Sequence, residues 1–154
     1  MQKKNLDIES NFKIREICLE DIDYILKIEQ ESHPDPWSRK MFENELKLDY
    51  SNFFIGNIKS EIVSYIIFWH VIDEAYLTNI TVSKDYRKLG IGEKMLNFAI
   101  GISKSLEIKK MLLEVRENNL PAILFYKKHG FKETYIRKKY YSNSENAIVM
   151  ERSL

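Results

Sequence analysis

The residues best suited to chemistry lie in one stretch near the middle of the chain. Leu77-Thr78-Asn79-Ile80-Thr81-Val82 reads as a strand, Ser83-Lys84-Asp85-Tyr86 follows it, and Arg87-Lys88-Leu89-Gly90-Ile91-Gly92 opens a long helical pattern. A strand that turns through glycines into a helix leaves four backbone N–H groups unpaired at the helix start, where the helix dipole favours negative charge. Gly90 and Gly92 put no Cβ between a ligand and the backbone, and Arg87 and Lys88 add positive charge. The physical expectation is a cradle for a pyrophosphate. Two common versions of such a turn fail on spacing. There is no G-x-x-x-x-G-K-[ST], and Gly90-Ile91-Gly92-Glu93-Lys94-Met95 lacks the third glycine of a dinucleotide fingerprint. Arg-x-x-Gly-x-Gly is a weak signal by itself; its place between strand and helix strengthens it.

Other chemistries are poorly provided for. Cys18 is the single cysteine, which excludes an internal disulfide framework and a cysteine-rich zinc site. His33, His70 and His129 share no metal-ligand spacing, so no metal is expected. At 154 residues the chain fits one domain, and the 44% hydrophobic, 12% aromatic composition excludes a disordered one. No apolar run approaches a membrane span and the first residues do not read as a signal peptide, so a cytoplasmic protein is expected. The net charge of +1 conceals an asymmetry: residues 1–83 hold 9 Lys/Arg and 15 Asp/Glu, residues 84–154 hold 15 and 8. Chance partition explains this as well as a basic half facing an anionic ligand and an acidic half facing a basic partner. A pI of 7.8 argues against direct binding of nucleic acid.

The elements that must carry these residues follow from periodicity. Residues 1–11 read as a polar leader, and 12–154 as the folded domain. Phe12-Lys13-Ile14-Arg15 alternates like a strand. Leu19, Ile22, Ile25, Leu26 and Glu29 recur at helical spacing and predict a helix over 19–32. His33-Pro34-Asp35-Pro36-Trp37 must be a loop because two prolines stop a helix, and Ser38 can cap the next one with Trp37 and Phe42 as a hydrophobic staple. Three β-rich segments, 53–58, 61–71 and 75–82, predict an antiparallel meander with turns at Lys59-Ser60 and Asp73-Glu74. Ile91, Met95, Phe98, Ala99, Ile102 and Leu106 then mark a long amphipathic helix. Residues 110–116 read as a strand with Met111, Leu113 and Val115 on one face and Leu112, Glu114 and Arg116 on the other. Asn119 can cap a helix that ends near His129 with Gly130 just beyond it. Strands over 131–141 and 147–152 close the chain. The order β-α-α-β-β-β-α-β-α-β-β is a mixed-sheet α/β (α+β) domain.

On these residues the chain resembles a known family. Arg87-x-x-Gly90-x-Gly92 after a strand, with Asn119 and Tyr126 in the next unit, looks like the acetyl-CoA-binding core of the GCN5-related N-acetyltransferases. Pro36-Trp37-Ser38, Leu113-Glu114-Val115-Arg116, Phe125-Tyr126-x-x-x-Gly130-Phe131 and Arg137-x-x-Tyr140-Tyr141 are similar to the ribosomal-protein-alanine N-acetyltransferases. The resemblance runs from about Lys13 to Met150. It implies the acyl-CoA N-acyltransferase fold, a mixed central sheet flanked by helices. It also implies acetyl-CoA as co-substrate, held by Ile80, Thr81 and Val82, by Arg87, Lys88, Leu89, Gly90, Ile91, Gly92 and Glu93, and by Asn119. A splayed strand pair at residues 80–82 would offer an unpaired N–H to the acetyl carbonyl.

Acyl transfer to an amine fixes the remaining roles. An amine attacks only when unprotonated, and at pH 7 this costs about 1 kcal/mol for an α-amine but nearly 5 (about) for a lysine. Glu114, alone among apolar strand neighbours, is the candidate base, and its reference pKa of about 4.3 must rise by desolvation to serve well. Its alternative role is a structural ion pair with Arg116 or a lysine. Tyr126, on the helix after the same strand, is the candidate donor to the departing thiolate; packing beside Ile123 and Phe125 is the plainer reading. Cys18 lies far upstream in an apolar setting, so direct transfer is expected. Trp37, Tyr140 and Tyr141 are candidates for holding the acceptor. The expected function is acetylation of a protein N-terminus, a small-subunit ribosomal protein above all. A same-fold enzyme acting on a small amine or lysine, and an acyl-CoA-binding module without turnover, are the alternatives.

Overall fold

A computed structural model of the chain describes residues 8–154. Its sheet has seven strands, β1 (Phe12–Glu16), β2 (Ser51–Ile58), β3 (Glu61–Val71), β4 (Glu74–Val82), β5 (Lys110–Arg116), β6 (Lys132–Arg137) and β7 (Ala147–Ser153), in the spatial order β1-β2-β3-β4-β5-β7-β6. Helices α1 (Ile22–Ser32) and α2 (Arg39–Glu45) precede β2, α3 (Ile91–Ser105) connects β4 to β5, and α4 (Leu120–Lys128) connects β5 to β6. Every neighbouring pair is antiparallel except β4–β5, which needs the crossover through α3.

Two apolar clusters bind helices to opposite faces of this sheet. Ile22, Ile25, Ile28 and Phe42 of α1 and α2 pack on Phe53, Ile55, Tyr65 and Ile67. Ile91, Met95, Leu96, Ala99 and Ile100 of α3 pack on Ile66, Phe68, Met111, Leu113 and Val115, with Ile123 and Tyr126 of α4 beside them. Fully burying one such side chain contributes about 1.5–3 kcal/mol. The burial of Met111, Leu113 and Val115, with Leu112, Glu114 and Arg116 half-buried, matches the alternation read from the sequence.

The local signals set the boundaries. Ser38 Oγ accepts the Met41 amide at 3.3 Å, and the Trp37 and Phe42 rings stand 5.3 Å apart as the staple requires. Asn119 Oδ1 accepts the Ala122 amide at 3.3 Å, and Gly130 takes φ +82° just past α4.

Four expectations are corrected. Residues 8–11 of the leader are helical, and Ile8 is anchored at 3% exposure in the larger core; residues 1–7 lie outside the described residues. The turn after β3 is Ile72-Asp73, with Ile72 at φ +58°, so that Glu74 starts β4. Leu106 is 55% exposed: α3 buries Ser103 instead, because a 3.6-residue period carries the stripe toward Leu96 and Ile100. The strand expected over 131–141 ends at Arg137, where Lys139 turns to φ +51° and gives its amide to Asn146 Oδ1 at 2.9 Å.

Candidate active site

The site begins where two parallel strands part. β4 and β5 pair only from Glu74↔Lys110 to Leu77↔Leu113. Beyond that point β4 stays with β3 as far as Val82, and β5 stays with β7 as far as Arg116. The edge of β4 that faces β5 is therefore open from Thr78 onward, two residues earlier than expected. A cleft of about 650 Å³ occupies the gap, lined among others by Ile80, Glu114, Asn119, Tyr126, Trp37, Tyr140 and Tyr141. Both candidate catalytic residues and all three candidate acceptor residues thus meet in one cavity.

Next to the cleft, outside its lining residues, stands a wall made of backbone. Gly90 sits at the start of α3 with φ +78°, a left-handed conformation that glycine adopts without penalty. The first amide of the helix to find an acceptor within it is that of Lys94, on Gly90 O at 3.1 Å, so the preceding four have none inside the helix. A Cβ added at Gly92 would rest on Phe125 and Val82 at 3.6 and 3.8 Å, inside the protein. Those are ordinary van der Waals contacts, so of the two glycines only Gly90 meets a conformational demand of the turn. Arg87 is exposed, and its Nε donates to Val82 O at 3.0 Å and its Nη2 to Ser32 Oγ at 2.9 Å, bracing the turn to β4 and α1. Glu93 leans on Lys128 Nζ at 3.3 Å and on His129 Nε2 at 3.7 Å. Lys88 is exposed too, at φ +60°.

The other wall is made of side chains from distant segments. Arg116 donates from Nη2 to Asp35 Oδ2 at 2.8 Å and from Nη1 to Glu145 Oε2 at 2.7 Å, and its guanidinium stacks 3.9 Å over the Tyr141 ring. Ser142 Oγ also donates to Asp35 Oδ2, at 2.9 Å. The loop 33–37 and the loop 138–146 are thereby clasped across the mouth of the cleft. Asp35 is spent on this clasp and Glu29 is buried, so the acidic first half of the chain presents no open patch through them.

Glu114 is half-buried and pairs with Arg137 Nε at 3.1 Å, neither with Arg116 nor with a lysine. A lone desolvated carboxylate was expected; β6 supplies a guanidinium opposite it. Its hydrogen bond with Tyr140 pushes that phenol above its ordinary value. Tyr126 is 8% exposed, and burial pushes its phenol up as well, so it holds its proton at neutral pH. Burial raises Tyr141 to about 12. Cys18 is exposed and hydrogen-bonded to Asp21 at 3.0 Å, a polar setting; that bond pushes the thiol up and disfavours a nucleophilic thiolate.

Sequence reasoning missed Glu29, His33 and Arg137. Glu29 is 1% exposed, and it receives Trp37 N at 2.9 Å on Oε1 and the Tyr65 hydroxyl on Oε2. His33 lines the cleft and stands 2.8 Å from Thr81 Oγ1; burial lowers its pKa, against Glu29 and with Arg87 and Arg116. The one signal for Glu29 was a carboxylate in an otherwise apolar helical stripe.

The model of the acetyltransferase (GNAT) family matches residues 22–131. The chain belongs to that family. It is similar to the ribosomal protein bS18-alanine N-acetyltransferase of Escherichia coli, with 36% identity covering 80% of this chain and 84% of the relative. It is also similar to an N-alpha-acetyltransferase of Sulfurisphaera tokodaii, with 33% identity over 90% and 91% of the two chains. The crystal structure of the ribosomal-protein-S18-alanine N-acetyltransferase from Escherichia coli superposes with a TM-score of 0.85 at 32% identity, covering 92% of this chain and 93% of that one. This acetyltransferase therefore has the expected acyl-CoA N-acyltransferase fold, a mixed sheet between two helical layers. Among its described residues no helix is long and apolar enough to cross a membrane, and no cluster of three or more His, Cys, Asp or Glu is placed to hold a metal.

Proposed function

We propose that this acetyltransferase moves an acetyl group from acetyl-CoA directly to the α-amine of a protein N-terminus, with the N-terminal alanine of a small-subunit ribosomal protein as the acceptor. The observation that carries the reading is the shared cleft. Glu114 and Tyr126 line the gap at the open edge of β4, beside Trp37, Tyr140 and Tyr141. The relatives named above act, by their names, on ribosomal alanine or on α-amines.

The residues fit the thioester carrier by their own chemistry. Four amides at the start of a 15-residue helix, a left-handed Gly90 and the exposed Lys88 suit a pyrophosphate. Ile80, Thr81 and Val82 present the strand edge that β5 has left, and backbone N–H groups there can polarise a carbonyl oxygen. Arg87, Leu89, Ile91, Gly92 and Glu93 shape the turn, and Asn119 lines the cleft opposite. When bound, acetyl-CoA supplies the activated acyl group.

Glu114 takes the proton that the attacking nitrogen loses as the new C–N bond forms, directly or through one water. Arg137 and Tyr140 hold that carboxylate in place. Tyr126 donates its hydroxyl toward the departing sulfur. Because burial keeps this phenol protonated, the donor is present across the whole neutral range. An α-amine needs about 1 kcal/mol to be deprotonated at pH 7 and a lysine about 5, which favours the terminus.

The test is a panel of acceptors incubated with acetyl-CoA and read by mass shift. It contains peptides with ribosomal N-termini, N-terminally blocked lysine peptides and small amines. Acetylation confined to free α-amines, alanine first, supports the reading. Preferential acetylation of lysine side chains or small amines overturns it.

A further inference from the structure

We propose that Glu29 is a positioning residue for the acceptor, acting through Trp37; this rests on the acceptor reading above and names a residue that reading does not use. Glu29 lies on the buried face of α1, where a carboxylate is tolerated only if donors saturate it. Its Oε1 accepts the Trp37 amide at 2.9 Å, and its Oε2 meets the Tyr65 hydroxyl, His33 Nε2 at 3.4 Å and Asn79 Nδ2 in a long 3.5 Å contact.

The donors form a chain with one direction. Thr81 Oγ1 donates to Asn79 Oδ1 at 3.0 Å, so its oxygen is left to accept from His33 Nε2 at 2.8 Å. Asn79 Nδ2 donates to the Tyr65 oxygen at 3.1 Å, and the Tyr65 proton then points at Glu29. The chain starts at His33 in the cleft and closes on the buried carboxylate, which His33 Nε2 also meets directly. Because the Asn79 side-chain amide donates through nitrogen and accepts through oxygen, no proton passes along it. The chain orients groups; it does not relay charge.

What it orients is the wall that meets the acceptor. Beyond Leu77, β4 has a strand partner on one side only, and Asn79 and Thr81 lie in that segment. The loop 33–37 contains two prolines and is tied to the body at Trp37 N by Glu29. The carrier wall shares the Thr81 side chain with this chain, but its turn is held by Arg87 on Val82 and Ser32. Disturbing Glu29 therefore loosens Trp37 while the turn at residues 87–93 keeps its bonds.

The decisive experiment compares the full chain with its E29Q variant. In E29Q one carboxylate oxygen becomes a donor, so either the Trp37 amide or the Tyr65 hydroxyl loses its acceptor. The expected result is an approximately tenfold rise in KM for an N-terminal peptide, with kcat and the calorimetric Kd for CoA within about twofold of the starting values. A lower melting temperature with an unchanged peptide KM would show a purely structural carboxylate and overturn the proposal. So would parallel losses in peptide KM and CoA Kd. If E29Q does not fold, H33A removes the ring that touches both Thr81 and Glu29, and a rise of about threefold in peptide KM is expected; no rise overturns the proposal. A wild-type chain that acetylates no peptide terminus sinks the acceptor reading and this role together, whereas an active wild type beside an unaltered E29Q sinks this role alone.

Discussion

The two walls of the proposed site are built on different principles. The wall proposed for the carrier is local: a strand end, a turn and a helix start from residues 80 to 93, with backbone amides and one left-handed glycine as its working parts. The acceptor wall is assembled from far apart: Asp35 meets Arg116 and Ser142 across separations of 81 and 107 residues, and Trp37 hangs from Glu29. Backbone groups tolerate changes of side chain, so the first wall suits a ligand that stays the same. Side-chain clasps can be re-cut by single substitutions, so the second can change while the first stays as it is.

The contrast predicts that chemistry, carrier binding and acceptor binding can be damaged separately. The largest effect belongs to the point where the walls meet. Glu114→Gln should lower kcat about 10²- to 10⁴-fold, the span of general-base contributions, with CoA binding intact by calorimetry. A Tyr126→Phe variant should lower free-thiol release by about tenfold or more, and unchanged rates in both variants would mean that the chemistry lies elsewhere.

Next comes the backbone wall. Gly90→Ala must hold a left-handed conformation that costs about 1–2 kcal/mol, so the Kd for CoA should rise about tenfold while peptide KM stays put. A rise in peptide KM instead would erase the distinction between the walls. The clasp should answer in the opposite sense. Arg116→Met keeps the bulk of the chain and removes the charge between Asp35 and Glu145, so peptide KM should rise about threefold with CoA binding unchanged. Part of that loss should return at high salt, which screens the two carboxylates left facing each other.

The smallest effect lies outside both walls and serves as the control. The Arg15 guanidinium holds the Asp21 carboxyl at about 2, below its ordinary 3.8. A carboxylate depressed on folding stabilises the protein above its unfolded value, and that contribution fades as pH falls from 3.8 toward 2. Because Arg15 is 48% exposed, the contribution is discounted to about 1 kcal/mol. Asp21→Asn should therefore lose about 1 kcal/mol at pH 7 in a urea titration and nothing near pH 2. It should leave both KM values alone.

Most of the fold was legible because its signals are short-range. The period of two at Met111, Leu113 and Val115, the caps at Ser38 and Asn119 and the stop at Gly130 each act within a few residues, and each stands where expected. The strand after Phe131 was overextended because its end depends on Asn146, seven residues away from Lys139. Arg87 read as positive charge for the turn, and nothing nearby in the chain discloses Ser32 as a partner of its side chain. Arg137 could not be paired with Glu114 before β7 was known to lie between β5 and β6.

The sequence by itself determined the elements, the glycine turn that opens α3 and the carboxylate and phenol of the cleft, because periodicity, caps and backbone conformation are properties of neighbouring residues. Only the tertiary structure decided that β4 and β5 part after Leu77, that Glu114 faces Arg137 and that Glu29 holds Trp37. Those pairings depend on which faces pack together, and side-chain partners tens of residues apart leave no local trace.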